Sequence, residues 1–168
     1  MVFSSFGGIL LWVILQDIFC VFLKVFFSMT QVKVELIGPY PPCVRCFKVF
    51  QTLREIKKEI PEMILERVEM TSEKAKSYGK IVKVEDFAKE FGINMNLDLR
   101  ELFRQRDLTL IEEKIREYIK KAEGFIGKAE ERDVLLTPII VINGEIKSVG
   151  KVPEKEELRD LIKSLNDK

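Results

Sequence analysis

Residues 32–50 read VKVELIGPYPPCVRCFKVF. The stretch opens with alternation, Val32, Val34 and Leu36 against Lys33 and Glu35. A period of two is that of a strand with one face on the core, and the strand reading runs from Gln31 to Ile37. Ile37 adds burial on the second face. Gly38-Pro39-Tyr40-Pro41-Pro42 then imposes a rigid loop, because three prolines cannot join a sheet ladder. From about Cys43 to Ile60 the period changes. Cys46, Phe47, Phe50, Leu53, Ile56 and Ile60 recur at spacings of three and four, which predicts one buried helix face. Lys57 and Lys58 suit its C-terminus, and Pro61 ends it.

The chemistry of the stretch lies where loop becomes helix. Cys43-Val44-Arg45-Cys46 is a CxxC at a helix start. Unpaired N–H groups and the helix dipole stabilise a thiolate there, and Arg45 adds positive charge. Cys43 takes the exposed first position and reads as the nucleophile. Cys46, one turn deeper and facing the core, reads as the resolving thiol. Other readings of the pair stay open: half of a site for zinc or another soft metal, or two buried apolar residues. Zinc wants about four ligands, and an intrachain site would have to draw on carboxylates.

The rest of the composition narrows the field further. The chain has 168 residues and no histidine, with 28 basic and 27 acidic side chains. Without histidine there is no Ser-His-Asp or Cys-His catalysis, no HExxH zinc site and no His-ligated metal. A net charge of +1 gives no electrostatic footprint for nucleic acid.

Outward from the motif, Met63–Met70 reads as a second strand. Thr71 or Ser72 can cap a short helix through Tyr78, ended by Gly79. Residues 80–133 read as helical throughout: a short helix at Val84, Phe87, Ala88 and Phe91, another at Leu99, Leu102 and Phe103, and a longer one from Ile111 to Ala129. Gly124 and Gly127 weaken the last of these. Ile139–Ile142 is an apolar strand, and Asn143-Gly144 signals a type I′ hairpin returning as Glu145–Val149. Pro153 opens a final helix with Glu154, Glu156 and Glu157 in its first turn and Leu158, Leu161, Ile162 and Leu165 inward.

Residues 1–28 differ from everything after them. They hold two charged side chains, Asp17 and Lys24, the sole tryptophan and six of the twelve phenylalanines. Residues 6–27 are long enough to cross a bilayer at about 20 residues per span. Asp17 opposes insertion by roughly 2.5–3.5 kcal/mol, and many apolar residues offset it. Two readings stay open. One is an apolar helical membrane anchor, with the basic residues after it placing the body on the cytoplasmic side. The other is a start assigned upstream of a cytoplasmic protein that begins at Met29. Cys20 is then an apolar residue among apolar residues.

Two stretches, 32–50 and TPIIVINGEIKSVGKVPEKEELRDLI (137–162), together resemble small archaeal and bacterial thioredoxin-like and glutaredoxin-like redox proteins. The resemblance implies an α/β thioredoxin-like fold over 30–168, ordered β-α-β, helical insertion at about 80–133, then β-β-α. It implies a thiol–disulfide oxidoreductase with Cys43 and Cys46 catalytic and Arg45, Pro42 and Pro138 in support, and with no cofactor. It makes the bond before Pro138 cis, and gives Thr137, Pro138 and Tyr40 to the substrate, with Thr137 pairing to the substrate chain in β-fashion. The implied partners are protein disulfides and an electron donor. The chain departs from typical members in several places. Pro42 stands where tryptophan is usual, and Val44-Arg45 where Gly-Pro is usual. Ile37 occupies the place of a buried acid, with Glu35 offset along the strand. For the insertion, a substrate groove, a dimer contact or a cover for one sheet face are all open.

Overall fold

A period of two along Val32, Val34 and Leu36 puts these residues on one side of a strand and Lys33, Glu35 and Ile37 on the other. In the computed structural model, which describes residues 31–104 and 106–166, this strand is β1 (Lys33–Gly38). The apolar helix and membrane span expected within residues 1–28 lie outside the described residues. A helix, α1 (Val44–Glu59), carries the chain across to β2 (Ile64–Glu69), which pairs with β1 in parallel, Lys33 opposite Ile64. On its other edge β1 meets β5 (Ile139–Ile142) antiparallel, and β5 meets β6 (Glu145–Val149) antiparallel. The order is β2-β1-β5-β6. Asn143 and Gly144 both take positive φ, 51° and 83°, as a type I′ turn requires.

Each sheet face has its own core. Val34, Leu36, Ile140 and Ile142 meet Val49, Leu53 and Ile56 of α1 and Leu158 and Ile162 of the final helix, α7 (Lys155–Asn166). On the opposite face Ile37, Ile139, Val141 and Val68 meet Ala75 of α2 (Glu73–Lys76), which Ser72 caps through its hydroxyl. Central strands buried on both faces read as continuous apolar runs, and IIVI at 139–142 is one. The helix stripe runs one residue out of the expected phase at Phe47. Val49 is buried and Phe47 is 50% exposed, because the spacing 46, 49, 53, 56, 60 leaves position 47 about 140° from the middle of the seam.

Residues 80–133 are not helical throughout. Lys80–Val82 forms a strand, β3, which pairs in parallel with β4 (Val134–Leu136) as a separate two-stranded sheet. Between them come α3 (Val84–Lys89), α4 (Leu99–Arg104), α5 (Leu108–Glu123) and α6 (Ile126–Glu130). The long helix expected from Ile111 to Ala129 is thus two, parted at Gly124 and Phe125. This segment has its own apolar core around Phe87, Tyr118, Ala122, Phe125 and Leu136. No helix among the described residues is long and apolar enough to cross a membrane.

Candidate active site

Cys43 is the N-cap of α1, with extended backbone at φ −67° and ψ 162°. Its Sγ accepts a hydrogen bond from the Cys46 amide at 3.3 Å, the place a cap side chain fills at any helix start. The two sulfurs lie 2.6 Å apart, both free thiols, Cys43 half-buried and Cys46 buried. Gly38 at the end of β1 makes this approach feasible. A Cβ there would stand 2.9 Å from the Cys46 sulfur.

The two thiols are driven apart electrostatically. Cys43 is lowered from 9.0 to about 7, first by the hydrogen bond its sulfur shares with Cys46, then by the Cys46 amide and the Arg45 charge; burial and Glu85 oppose. Cys46 is raised, first by that same hydrogen bond and then by burial. Of the two, Cys43 is therefore the thiol that ionises more readily.

Arg45 does not stand in solvent beside the thiol. It is fully buried, and its fork closes on two backbone carbonyls. Nη1 donates to Gly150 O at 2.8 Å and Nη2 to Thr137 O at 2.5 Å. Gly150 N in turn donates to Pro138 O at 2.8 Å. One side chain of α1 thereby ties the helix start to both ends of the β5–β6 hairpin. Gly150 adopts φ +68°, and a Cβ there would meet Ile126 at 3.1 Å.

The bond between Thr137 and Pro138 is cis. Thr137 is fully buried, and both its backbone polar groups are occupied. Its N–H donates to Val82 O at 3.2 Å and its carbonyl accepts from Arg45. The N–H that pairing with a substrate strand would use is thus already bonded, and the carbonyl already accepts one hydrogen bond. The physical reason is the short strand β3, which takes the ladder position beside Thr137.

Above Cys43 lies a cavity of about 460 Å³ that Pro42 and Val44 share with Glu85, Met95, Leu97 and Tyr118. The Tyr118 hydroxyl donates to Glu85 Oε1, and Tyr118 is held well above its usual range, first by burial and then by that bond. Neither residue was evident from the motif. Tyr118 reads as one more apolar position of α5, and Glu85 as a first-turn acid of α3. Only the packing of α3 against α5 brings them to the thiol.

A family model described as a thioredoxin domain matches residues 107–163. That stretch runs from α5 through the cis-proline and the hairpin into α7, and it stops short of the CxxC on the N-terminal side. Over that stretch, about a third of its length, the chain is similar to thioredoxin domains. No curated protein and no solved structure matches it.

Two further residues singled out in the sequence stand apart from the thiols. Tyr40 is 76% exposed and lines a different hollow with Arg67 and Glu69, not the one holding Cys43. Glu35 is buried on the sheet face opposite α1. Burial pushes its carboxyl up, but hydrogen bonds from Lys74 and Lys33, at 2.6 and 2.9 Å, prevail and hold it below its ordinary value. It is a structural ion-pair partner, also facing the Tyr78 hydroxyl at 3.5 Å. Among the described residues no group of three or more Cys, Asp or Glu is placed to hold a metal ion.

The separation of the two thiols predicts a pH profile. The rate of iodoacetamide alkylation of the reduced chain should rise through about pH 7 as Cys43 ionises. At that pH about half of Cys43 is thiolate, against roughly 3% of an ordinary thiol. Cys46 should stay unlabelled. A midpoint above 8.5, or equal labelling of both thiols, would contradict the assignment.

Proposed function

We propose that the chain is a thiol–disulfide oxidoreductase acting on protein disulfides. The Cys43 thiolate attacks one sulfur of the substrate disulfide, forms a new S–S bond and releases the other sulfur as a thiolate. Cys46 then loses its proton and attacks the Cys43 sulfur, which frees the second substrate thiolate and leaves the Cys43–Cys46 disulfide. Two electrons pass to the substrate, and an electron donor must restore the dithiol. The cycle requires no metal or organic cofactor. The supporting observation is a thiol lowered to about 7 at the N-cap of α1 with a second thiol, raised by its surroundings, 2.6 Å behind it.

The test is redox equilibration of the full chain in dithiothreitol buffers, followed by alkylation and mass measurement. The expected result is a single two-electron transition in which both motif thiols vanish together. Two thiols that stay alkylatable at every potential would end the proposal. The midpoint also assigns direction. A value near about −270 mV means reducing work, and one near about −120 mV means oxidising work.

A further inference from the structure

A substrate must reach the Cys43 sulfur, and two routes present themselves. One lies along the edge before the cis-proline. There Thr137 is fully buried, its N–H is bonded to Val82 and its carbonyl to Arg45, and Pro138 has no N–H to offer. The other is the cavity that Cys43 itself lines. Its walls include the apolar side chains of Met95 and Leu97, and among the described residues its only charged lining side chains besides the thiol are the carboxylates of Glu85 and Asp98. Glu85 is held by the Tyr118 hydroxyl. Asp98 caps α4 by accepting from the Glu101 amide at 3.0 Å. An adjoining hollow that shares Met95, Leu97 and Tyr118 carries Lys114 and Lys121, with Lys114 paired to Glu117 at 2.9 Å, but it does not reach Cys43.

We propose that Cys43 takes its substrate through the Glu85–Asp98 cavity and not along the Thr137 edge. The two carboxylates then select polypeptide disulfides with a basic side chain beside the attacked cysteine. Anionic disulfides such as oxidised glutathione are disfavoured. A carboxylate next to the reacting sulfur attracts a cationic neighbour and repels an anionic one, and the contrast between two such probes doubles the effect. The proposal rests on the exchange reading of Cys43, and the step is the one already written: a Cys43–substrate S–S bond forms as the substrate's own S–S bond breaks.

The test uses the full chain carrying Cys46→Ser, so that each reaction stops at the mixed disulfide. Three probes are compared: neutral hydroxyethyl disulfide, a short peptide disulfide with lysines flanking the cysteine, and the same peptide with glutamates. Peptide rates are divided by the hydroxyethyl disulfide rate, which also reports folding and thiolate content. The Lys peptide should outrun the Glu peptide by about tenfold at low salt. The Cys43 thiolate alone repels an anionic probe, so the decisive comparison is Glu85→Gln with Asp98→Asn, where the ratio should fall to about a third of its value or less. Gln can still accept from Tyr118, and Asn still caps a helix. A ratio that survives the double change overturns the proposal. Methylating the backbone amides of the Lys peptide, which blocks strand pairing, should leave its rate within about twofold; a tenfold loss would return the substrate to the Thr137 edge and overturn the route. Failure of hydroxyethyl disulfide to react at all would instead remove the exchange reading, and the proposal with it.

Discussion

Cys43→Ser is expected to bring protein-disulfide exchange down to background, whereas Cys46→Ser keeps the first step and stalls after it. The asymmetry follows from the places the two sulfurs occupy. Cys43 is half-buried at the mouth of the cavity, lowered to about 7 and bonded by an amide, so its thiolate is available near neutral pH. Cys46 is 2% exposed and raised, so it is neither reached nor ionised in the resting dithiol. The cause that raises it is chiefly the hydrogen bond to Cys43. Once Cys43 is joined to substrate, its negative charge is gone and that hydrogen bond loses its best acceptor. Cys46 thus becomes easier to ionise at the step that needs it. Replacing the attacking sulfur should cost roughly three orders of magnitude or more in insulin reduction. Cys46→Ser should instead accumulate a covalent adduct on non-reducing gels. Turnover by Cys43→Ser, or no adduct from Cys46→Ser, would refute the division of labour.

Local periodicity carried much of the frame. VKVELI, the NG hairpin and the Pro153 helix each state their structure within a few residues, and each forms near its expected bounds. The parts that escaped depend on distant partners. Lys80–Val82 has three residues and no period to detect. It is a strand because Val134–Leu136 lies beside it, more than fifty residues later. Phe47 satisfied the count of threes and fours as well as Val49 did, and only the direction of the seam separates them.

The site divides in the same way. The CxxC spacing, its placement at a helix start and the Thr-Pro dipeptide were visible as local features. The surroundings that tune them were not. An arginine between two cysteines reads as a surface charge, since arginine is almost never fully buried unless paired. Here two carbonyls from the β5–β6 hairpin draw it inward. That inward turn, together with β3, occupies the Thr137 carbonyl and N–H at the edge where a substrate strand was expected. The same segment that supplies β3 also supplies the Glu85–Tyr118 wall of the cavity that Cys43 lines, so both surroundings of the thiol have a common origin.

Arg45→Met is expected to destabilise the fold by about 2–4 kcal/mol and also to raise the Cys43 thiol. The first effect comes from the carbonyls. Thr137 O and Gly150 O are buried acceptors whose donors both belong to Arg45, and an orphaned buried acceptor costs about 1–3 kcal/mol. Part of that loss is offset, because the buried guanidinium is itself costly and its Nε has no partner among the described residues. The second effect comes from charge. Arg45 lowers Cys43 through space, so without it the thiolate is less favoured and the reduced pair less stable. Each pKa unit lost is about 1.4 kcal/mol, or about 30 mV toward a more negative potential for a two-electron couple. Arg45→Lys separates the two. An ammonium restores the charge but is a point donor on a flexible stem and cannot reproduce a fork closed on two carbonyls. Guanidinium unfolding midpoints should therefore fall in both variants, while the alkylation profile should shift upward in Arg45→Met and return toward about 7 in Arg45→Lys. Equal profiles in the two variants would mean that Arg45 acts on Cys43 by holding the helix start in place, and not by its charge.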